Sequence, residues 1–184
     1  TAVGSGLNTS KKFIDGFLKA LQSITKNPYK TSENKFAALS SHGGIANLSG
    51  AITTLVTSCY KIANDIRLLA SGPRCGIGEL IIPSNEPGSS IMPGKVNPTQ
   101  SEALAQVCIY LLGINSAINI ANSQGHFQLN ANKTIIIFTI LKSINLISDS
   151  IDSFTKNCLL GIKPNNKKIK ENLENSLMLV TALS

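Results

Sequence analysis

Side chains suited to catalysis and anion binding are concentrated in one polar stretch, residues 86–98, which reads Glu-Pro-Gly-Ser-Ser-Ile-Met-Pro-Gly-Lys-Val-Asn-Pro. It supplies adjacent hydroxyls at Ser89 and Ser90, an ammonium at Lys95 and an amide at Asn97. Its three prolines and two glycines exclude a helix or a central strand. Because a loop of this size inside a helical protein is uncommon and usually functional, the stretch predicts an active-site loop.

The loop leads directly into a predicted helix. Asn97 and Pro98 suit the N-cap and the first turn, and Glu102 would lie near the positive end of the helix dipole. Free backbone N–H groups at such a terminus, with Lys95 beside them, predict a carboxylate or phosphate site. Two plainer interpretations stay open. One is a flexible polar surface loop, and the other is a capping box from Thr99 to Glu102 that makes the acid purely local.

Other catalytic patterns do not occur in the sequence. The phosphate-binding pattern G-x-x-x-x-G-K-[ST] and the hydrolase pattern G-x-S-x-G are both missing. His42 lies in an apolar segment and is interpreted as structural, and His126 follows a predicted helix end and indicates a turn. Neither histidine supports a Ser-His-Asp triad.

Composition indicates one domain with an aliphatic core. The 184 residues are 42% hydrophobic and 5% aromatic, and 17 basic against 10 acidic residues give a net charge of +7. The lysines are scattered, with only a modest cluster over residues 163–170, so neither nucleic acid nor a membrane is the expected partner. A small anionic substrate fits the charge. Four cysteines without paired spacing predict no metal site and no disulfide framework, which indicates a reducing compartment such as the cytoplasm.

Apolar periodicity predicts an all-α protein in which long helices flank the loop. The predicted helices run from caps at residues 8–10 to just before Asn27, from about 32 to 70, from 97 to 123 and from 133 to 159, with a short one after residues 164–166; residues 78–82 could form a short strand.

Two stretches, 36–60 and 103–132, carry no charge. Each is long enough to span a membrane, but many hydroxyls and amides argue against a span. The other interpretation is a helix buried on every side. Because one chain cannot easily surround two such helices, we expect an oligomer.

The segment from Gly88 to Pro98 resembles the signature of the fumarase/aspartase superfamily, whose members eliminate a group from succinyl-type substrates to yield fumarate. Residues 71–79, 82–87 and 98–100 narrow the resemblance to the class II fumarate hydratase family. The resemblance covers essentially the whole chain.

The resemblance implies a fold, a reaction and an assembly. Residues 1–163 would belong to the long-helix bundle of the central domain, completed by oligomerisation, and residues 164–184 would start a small C-terminal helical domain. The implied reaction is reversible hydration of fumarate to L-malate in the tricarboxylic acid cycle, with no metal or organic cofactor. The implied assembly is a homotetramer in which three subunits build each active site.

Residue roles are also implied by the resemblance. Ser89 is similar to the family's catalytic base, and Glu102 matches the acid that partners a catalytic histidine. The positions that hold the substrate carboxylates correspond to Ser90, Lys95, Asn97 and the backbone at Val96.

Two departures from the family pattern limit what the chain would do. A Thr-His pair and further carboxylate-binding residues of the family lie upstream of the matching region and do not occur here, so we expect a fragment that is inactive alone. Residues 130–134 also differ from the sequence that is usual at this place in fumarases. An aspartase-type ammonia-lyase and a non-catalytic helical assembly module remain alternatives.

Overall fold

The computed structural model describes residues 2–183, and this part of the chain is built from six α-helices and one short sheet. The two strands contain two residues each and pair antiparallel, with Leu80 opposite Pro164. The prediction of an all-α protein is therefore confirmed. The elements are α1 (Lys11–Thr25), α2 (Lys35–Ser40), α3 (Gly43–Leu69), β1 (Leu80–Ile81), α4 (Thr99–Ser123), α5 (Lys133–Asn157), β2 (Lys163–Pro164) and α6 (Asn166–Glu174), with 3-10 turns at Ala2–Gly4, Leu159–Gly161 and Leu177–Leu183.

Two compact units make up the chain. Unit 1 comprises Thr1–Gly50 and Asn115–Ile140, and unit 2 comprises Ala51–Ile114 and Leu141–Ser184. Each unit contains segments of α3, α4 and α5, which is why neither unit is continuous in sequence. The predicted boundary between residues 163 and 164 stays a prediction.

Unit 2 has an aliphatic core made by the facing sides of three helices. α3 contributes Val56 and Ala63, which are 1% and 0% exposed, and α4 contributes Cys108 at 0%. The other buried members of this cluster are Leu104, Ala105, Leu111, Ile147, Phe154 and Cys158. Small residues on α3 and α4 allow close approach of these helices, and this packing fixes the start of α4, where the polar loop ends.

Unit 1 is held together by buried amides as well as by apolar residues. Asn130 is 0% exposed and donates from Nδ2 to the carbonyl oxygens of Ala121 at 2.9 Å and Gln124 at 3.0 Å. Its Oδ1 accepts from the backbone N–H of Asn132 at 2.8 Å. Ile118 and Ile136 are buried in the same unit. The amide thus satisfies carbonyls at the C-terminal end of α4 that would otherwise be unpaired.

The prediction of one helix from about residue 32 to 70 is wrong near its start. Ser41 is extended (φ −115°, ψ 143°) and separates α2 from α3. The backbone N–H of His42 donates to Oδ1 of Asn122 at 2.8 Å, and its carbonyl accepts from the first turn of α3. A tertiary hydrogen bond therefore replaces the intrahelical one at this position, and two glycines that follow lower the cost of the break.

His42 itself is held by neighbours in unit 1. Its Nε2 lies 3.1 Å from Nζ of Lys133, which also donates to the carbonyl oxygen of Leu39 at 2.9 Å. Burial and, secondarily, the Lys133 ammonium lower the pKa of His42. His126 forms a turn in which its carbonyl accepts from Leu129. These contacts agree with the structural interpretation of His42 and the turn predicted at His126.

Two helices, Thr99–Ser123 and Lys133–Gly161, are long and apolar enough by composition to cross a membrane, a test that core helices of soluble proteins also satisfy. Within unit 1, Ser49 donates to Asn115 on α4, and such side-chain bonding favours packing against protein. Large apolar side chains of α4 and α5 are nevertheless exposed in the single chain, among them Ile109, Tyr110, Ile120, Ile135, Ile137 and Leu141.

Candidate functional site

The polar loop turns sharply at its second Pro-Gly pair. The backbone N–H of Lys95 donates to the carbonyl oxygen of Met92 at 3.3 Å, and Gly94 between them has φ +78°. Proline at the second turn position and a left-handed glycine at the third are the requirements of a type II turn. The turn projects Lys95 and Val96 outward, and both are exposed.

A close backbone approach joins the two ends of the loop. A Cβ on Gly88 would overlap the carbonyl oxygen of Lys95, so only glycine allows these segments to lie so near. Asn97 donates from Nδ2 to the carbonyl oxygen of Pro87 at 3.4 Å. The amide that was predicted to cap α4 therefore bridges the base of the loop.

Ser89 makes a local hydrogen-bonded turn. Its Oγ accepts from the backbone N–H groups of Ile91 and Met92, each at 3.2 Å, and the residue is partly buried. Two backbone N–H donors aimed at one hydroxyl oxygen hold its orientation and would stabilise negative charge on that oxygen. Ser90, by contrast, is exposed.

A cleft of about 440 Å³ in unit 2 lies beside the loop. Lys95, Val96 and Glu102 line it together with two further cations, Arg67 and Lys168. No ion pair involves Lys95 within residues 2–183, so its charge is available to an anion. The cleft therefore suits a small negatively charged ligand.

Glu102 pairs with another helix. Its Oε1 lies 3.2 Å from Nη2 of Arg67, near the C-terminal end of α3. Its backbone N–H donates to the carbonyl oxygen of Pro98 at 3.0 Å, and Oγ1 of Thr99 has no hydrogen-bond partner among the described residues. The capping box that would have made Glu102 purely local is thus not formed, since its carboxylate points to α3.

The structure brings only part of the predicted set to the cleft. Lys95, Val96 and Glu102 line it, whereas Ser89, Ser90 and Asn97 are not among its lining residues. For Ser89 and Asn97 the physical reason is local, because both side chains are engaged in hydrogen bonds within the loop.

The cleft is also lined by three charged or amide residues that were not predicted as site residues from the sequence: Arg67, Asn165 and Lys168. Asn165 accepts from the N–H of Lys168 at 3.3 Å as the N-cap of α6 and donates to the carbonyl oxygen of Gly78 at 2.9 Å. It thereby fixes α6 to the wall of the cleft. The chain has just two arginines, Arg67 and Arg74, among many lysines. The rarity of arginine among the basic residues is a feature of the sequence that could have indicated a special part for Arg67.

No group of three or more potential metal ligands occurs in residues 2–183. The four cysteines are free, with Cys75 exposed and Cys108 and Cys158 buried. Burial and, to a smaller degree, neighbouring Cys59 raise the pKa of Cys108 to about 11. The Cys108 thiol is therefore a packing element of unit 2 and not a nucleophile at neutral pH.

Comparison with known proteins identifies the family of this chain. A family model described as lyase matches residues 1–113. The chain is 55% identical over its full length to the class II fumarate hydratase of Thermosynechococcus vestitus and 56% identical to the mitochondrial fumarate hydratase of Rhizopus oryzae. It spans 39% and 37% of the length of these relatives.

A solved structure gives the same result for the fold. The crystal structure of class II fumarase from Schistosoma mansoni superimposes with a TM-score of 0.90 at 42% identity, covering 100% of this chain and 41% of that one. The resemblance seen in residues 88–98 is confirmed, as is the fumarase-type fold. Because the family model matches more than half of the 184 residues, the chain belongs to this lyase family.

Proposed function

We propose that the protein is a class II fumarate hydratase that interconverts fumarate and L-malate. The observation that carries the proposal is the loop of residues 86–98, in which the Ser89 hydroxyl accepts from two backbone N–H groups. Lys95 of the same loop lines a cationic cleft and has no ion-pair partner within residues 2–183. The identity to fumarate hydratases over all 184 residues supports the same assignment.

In the proposed dehydration of malate, Ser89 in its deprotonated form takes the proton from the carbon next to a carboxylate. The double bond then forms as the hydroxyl on the neighbouring carbon takes a proton from a general acid and leaves as water. Removing that proton builds a second negative charge on the carboxylate, so the site must supply positive potential in the transition state. Lys95 provides a full charge, and the N-terminus of α4 provides a partial one. Ser90, Asn97 and the backbone at Val96 complete the proposed carboxylate contacts.

Glu102 has a supporting part in the proposal. It would hold a histidine in the protonation state and orientation that the reaction needs, as a carboxylate does in other acid–base pairs. No metal or organic cofactor takes part in the proposed reaction. Hydration of a double bond beside a carboxylate adds the oxygen of water to one carbon and a proton to the other, which general acid–base catalysis and charge stabilisation can supply.

Assembly into a homotetramer belongs to the proposal, as does a cytoplasmic location. The observation that supports assembly is the apolar surface that α4 and α5 leave uncovered in one copy, where Ile109 is 56% and Ile120 65% exposed. Large apolar side chains exposed along two long helices favour packing against further copies of the chain. Light scattering measures the molecular mass of the purified protein, which should be four times that of one subunit.

The absorbance of fumarate during incubation with L-malate tests the function. In the full-length protein that carries this chain, Ser89→Ala should lower kcat by about 10³-fold, since general-base catalysis contributes 10²- to 10⁴-fold. Lys95→Met should lower kcat/KM by about 10²-fold because a charge that stabilises the transition state is lost.

Two controls sharpen this experiment. Lys12→Met removes a charge of the same type from an exposed position on α1 and should leave turnover unchanged. L-aspartate should release no ammonia, and rapid ammonia release would favour the aspartase alternative. Residues 1–184 alone should be inactive, because they contain no Thr-His pair of the family type. Turnover by the isolated 184 residues would refute that expectation.

A further inference from the structure

We propose that Arg67 is a positioning residue that orients the Glu102 carboxylate for its catalytic partner. The inference rests on the proposed function, since it assigns Arg67 a part in the same reaction. Arg67 would act through Glu102 and would not contact substrate itself.

The geometry of the pair is the first argument. Nη2 of Arg67 lies 3.2 Å from Oε1 of Glu102, across the gap between α3 and α4. No other hydrogen bond or ion pair involves this carboxylate within residues 2–183, so its second oxygen is left for another group. One charge-assisted contact therefore sets the direction of a flexible side chain.

The second argument is that both backbones are fixed. Ala63 lies one helical turn before Arg67 and is 0% exposed, and Ala105 lies one turn after Glu102 and is 8% exposed. Both alanines belong to the buried cluster of unit 2, and residues three or four apart share a helix face. The core thus holds the two charged side chains opposite each other at one end of the α3 and α4 contact.

The third argument concerns what the pair does not do. The side chains of Arg67 and Glu102 are 50% and 37% exposed, and exposed ion pairs contribute little to stability. Both residues line the cleft that also receives Lys95. A contact that adds little to folding but fixes a carboxylate at the wall of a cationic cleft is better explained by catalysis than by stability.

Steady-state kinetics of the full-length protein with L-malate test the inference. Arg67→Ala should lower kcat by about 10- to 100-fold with little change in KM, because misplacing a catalytic group by about 1 Å costs up to 10²-fold. Arg67→Lys should stay within about fivefold of wild type, since the contact uses one nitrogen and a point charge can replace it. Lys61→Ala, which removes an exposed cation of the same helix, should change nothing.

A second background separates positioning from structure. If Arg67 acts through Glu102, then Arg67→Ala should cause no further loss of kcat in a Glu102→Gln protein. Equal losses in both backgrounds, or an unchanged kcat in Arg67→Ala, would overturn the inference. Thermal unfolding of Arg67→Ala should stay close to that of wild type, and a large drop would make the residue structural. A wild-type protein that does not hydrate fumarate overturns the proposed function itself, whereas an active wild type with an unaffected Arg67→Ala overturns this inference alone.

Discussion

Replacement of Asn130 should be the most damaging polar substitution in unit 1. Its amide donates to the carbonyl oxygens of Ala121 and Gln124 and accepts from the N–H of Asn132, and the side chain is completely buried. Each such bond contributes about 1 kcal/mol net, so Asn130→Ala should lower the free energy of unfolding by about 3 kcal/mol. Water cannot compensate easily, because the position has no solvent exposure.

Asn130→Asp is the sharper perturbation because it keeps the shape. It replaces the group that donates to two carbonyl oxygens with a charged acceptor that faces them, and it buries that charge. The expected loss is about 4 kcal/mol or more, within the range measured for breaking buried charged pairs. If volume alone mattered at this site, the isosteric Asp variant would instead be nearly as stable as wild type.

Urea unfolding followed by far-ultraviolet circular dichroism measures both losses. With a denaturant slope of about 2 kcal/mol per molar, Asn130→Ala should lower the midpoint by about 1.5 M. Asn27→Ala is the matched control, since Asn27 is exposed after α1 and its change should stay within about 0.5 kcal/mol. A loss below about 1 kcal/mol for Asn130→Ala would refute the assignment of three effective hydrogen bonds to this amide.

Two further predictions concern the loop and the thiols. Gly88→Ala should lower activity by about 10²-fold with nearly unchanged thermal stability, because the new methyl group overlaps the Lys95 carbonyl oxygen and opens the loop. The control is Gly16→Ala in α1, where a methyl group meets no atom within 4 Å and should stabilise the protein by about 0.5 to 1 kcal/mol. Equal activity of the two variants would contradict the close approach at Gly88. Iodoacetamide at pH 8 should label exposed Cys75 before buried Cys108, because a pKa of about 11 leaves about 0.1% of Cys108 as thiolate. Mass spectrometry measures the order of labelling, and equal labelling rates of the two cysteines in the folded protein would contradict the prediction.

The helix ends that depend on neighbouring residues in the chain were predicted correctly from the sequence. Lys11–Thr25 ends just before Asn27 and Pro28, and α4 begins right after Pro98, because proline restricts the residue before it and lacks an N–H. The type II turn at Gly94, which was not predicted, likewise depends only on its Pro-Gly pair. These features depend on neighbours in the chain, so a pattern of a few residues is enough to predict them.

What the sequence could not foretell depends on distant partners. The break before α3 needs Asn122, which lies 80 residues away from His42. The direction of Glu102 needs Arg67 on another helix, and a local capping box fitted the same letters equally well. The Ser89 side chain turns toward its own loop and accepts from the backbone N–H of Met92. Residue type does not determine the direction of a side chain, so this contact could not be predicted either.

The loop also explains why one copy should not suffice for the proposed reaction. A serine that removes a proton from carbon needs a site from which water is excluded, because exposed donors and charges are weakened by solvent. In one chain, however, Ser90, Lys95 and Val96 are all exposed, and Ser89 does not line the cleft that contains Glu102. The surfaces that exclude water must then come from other polypeptide, and the uncovered apolar faces of α4 and α5 are where additional copies would pack. Assembly and catalysis are therefore coupled in this proposal: the loop supplies the base and a carboxylate anchor, and its neighbours supply the dry environment in which they can act.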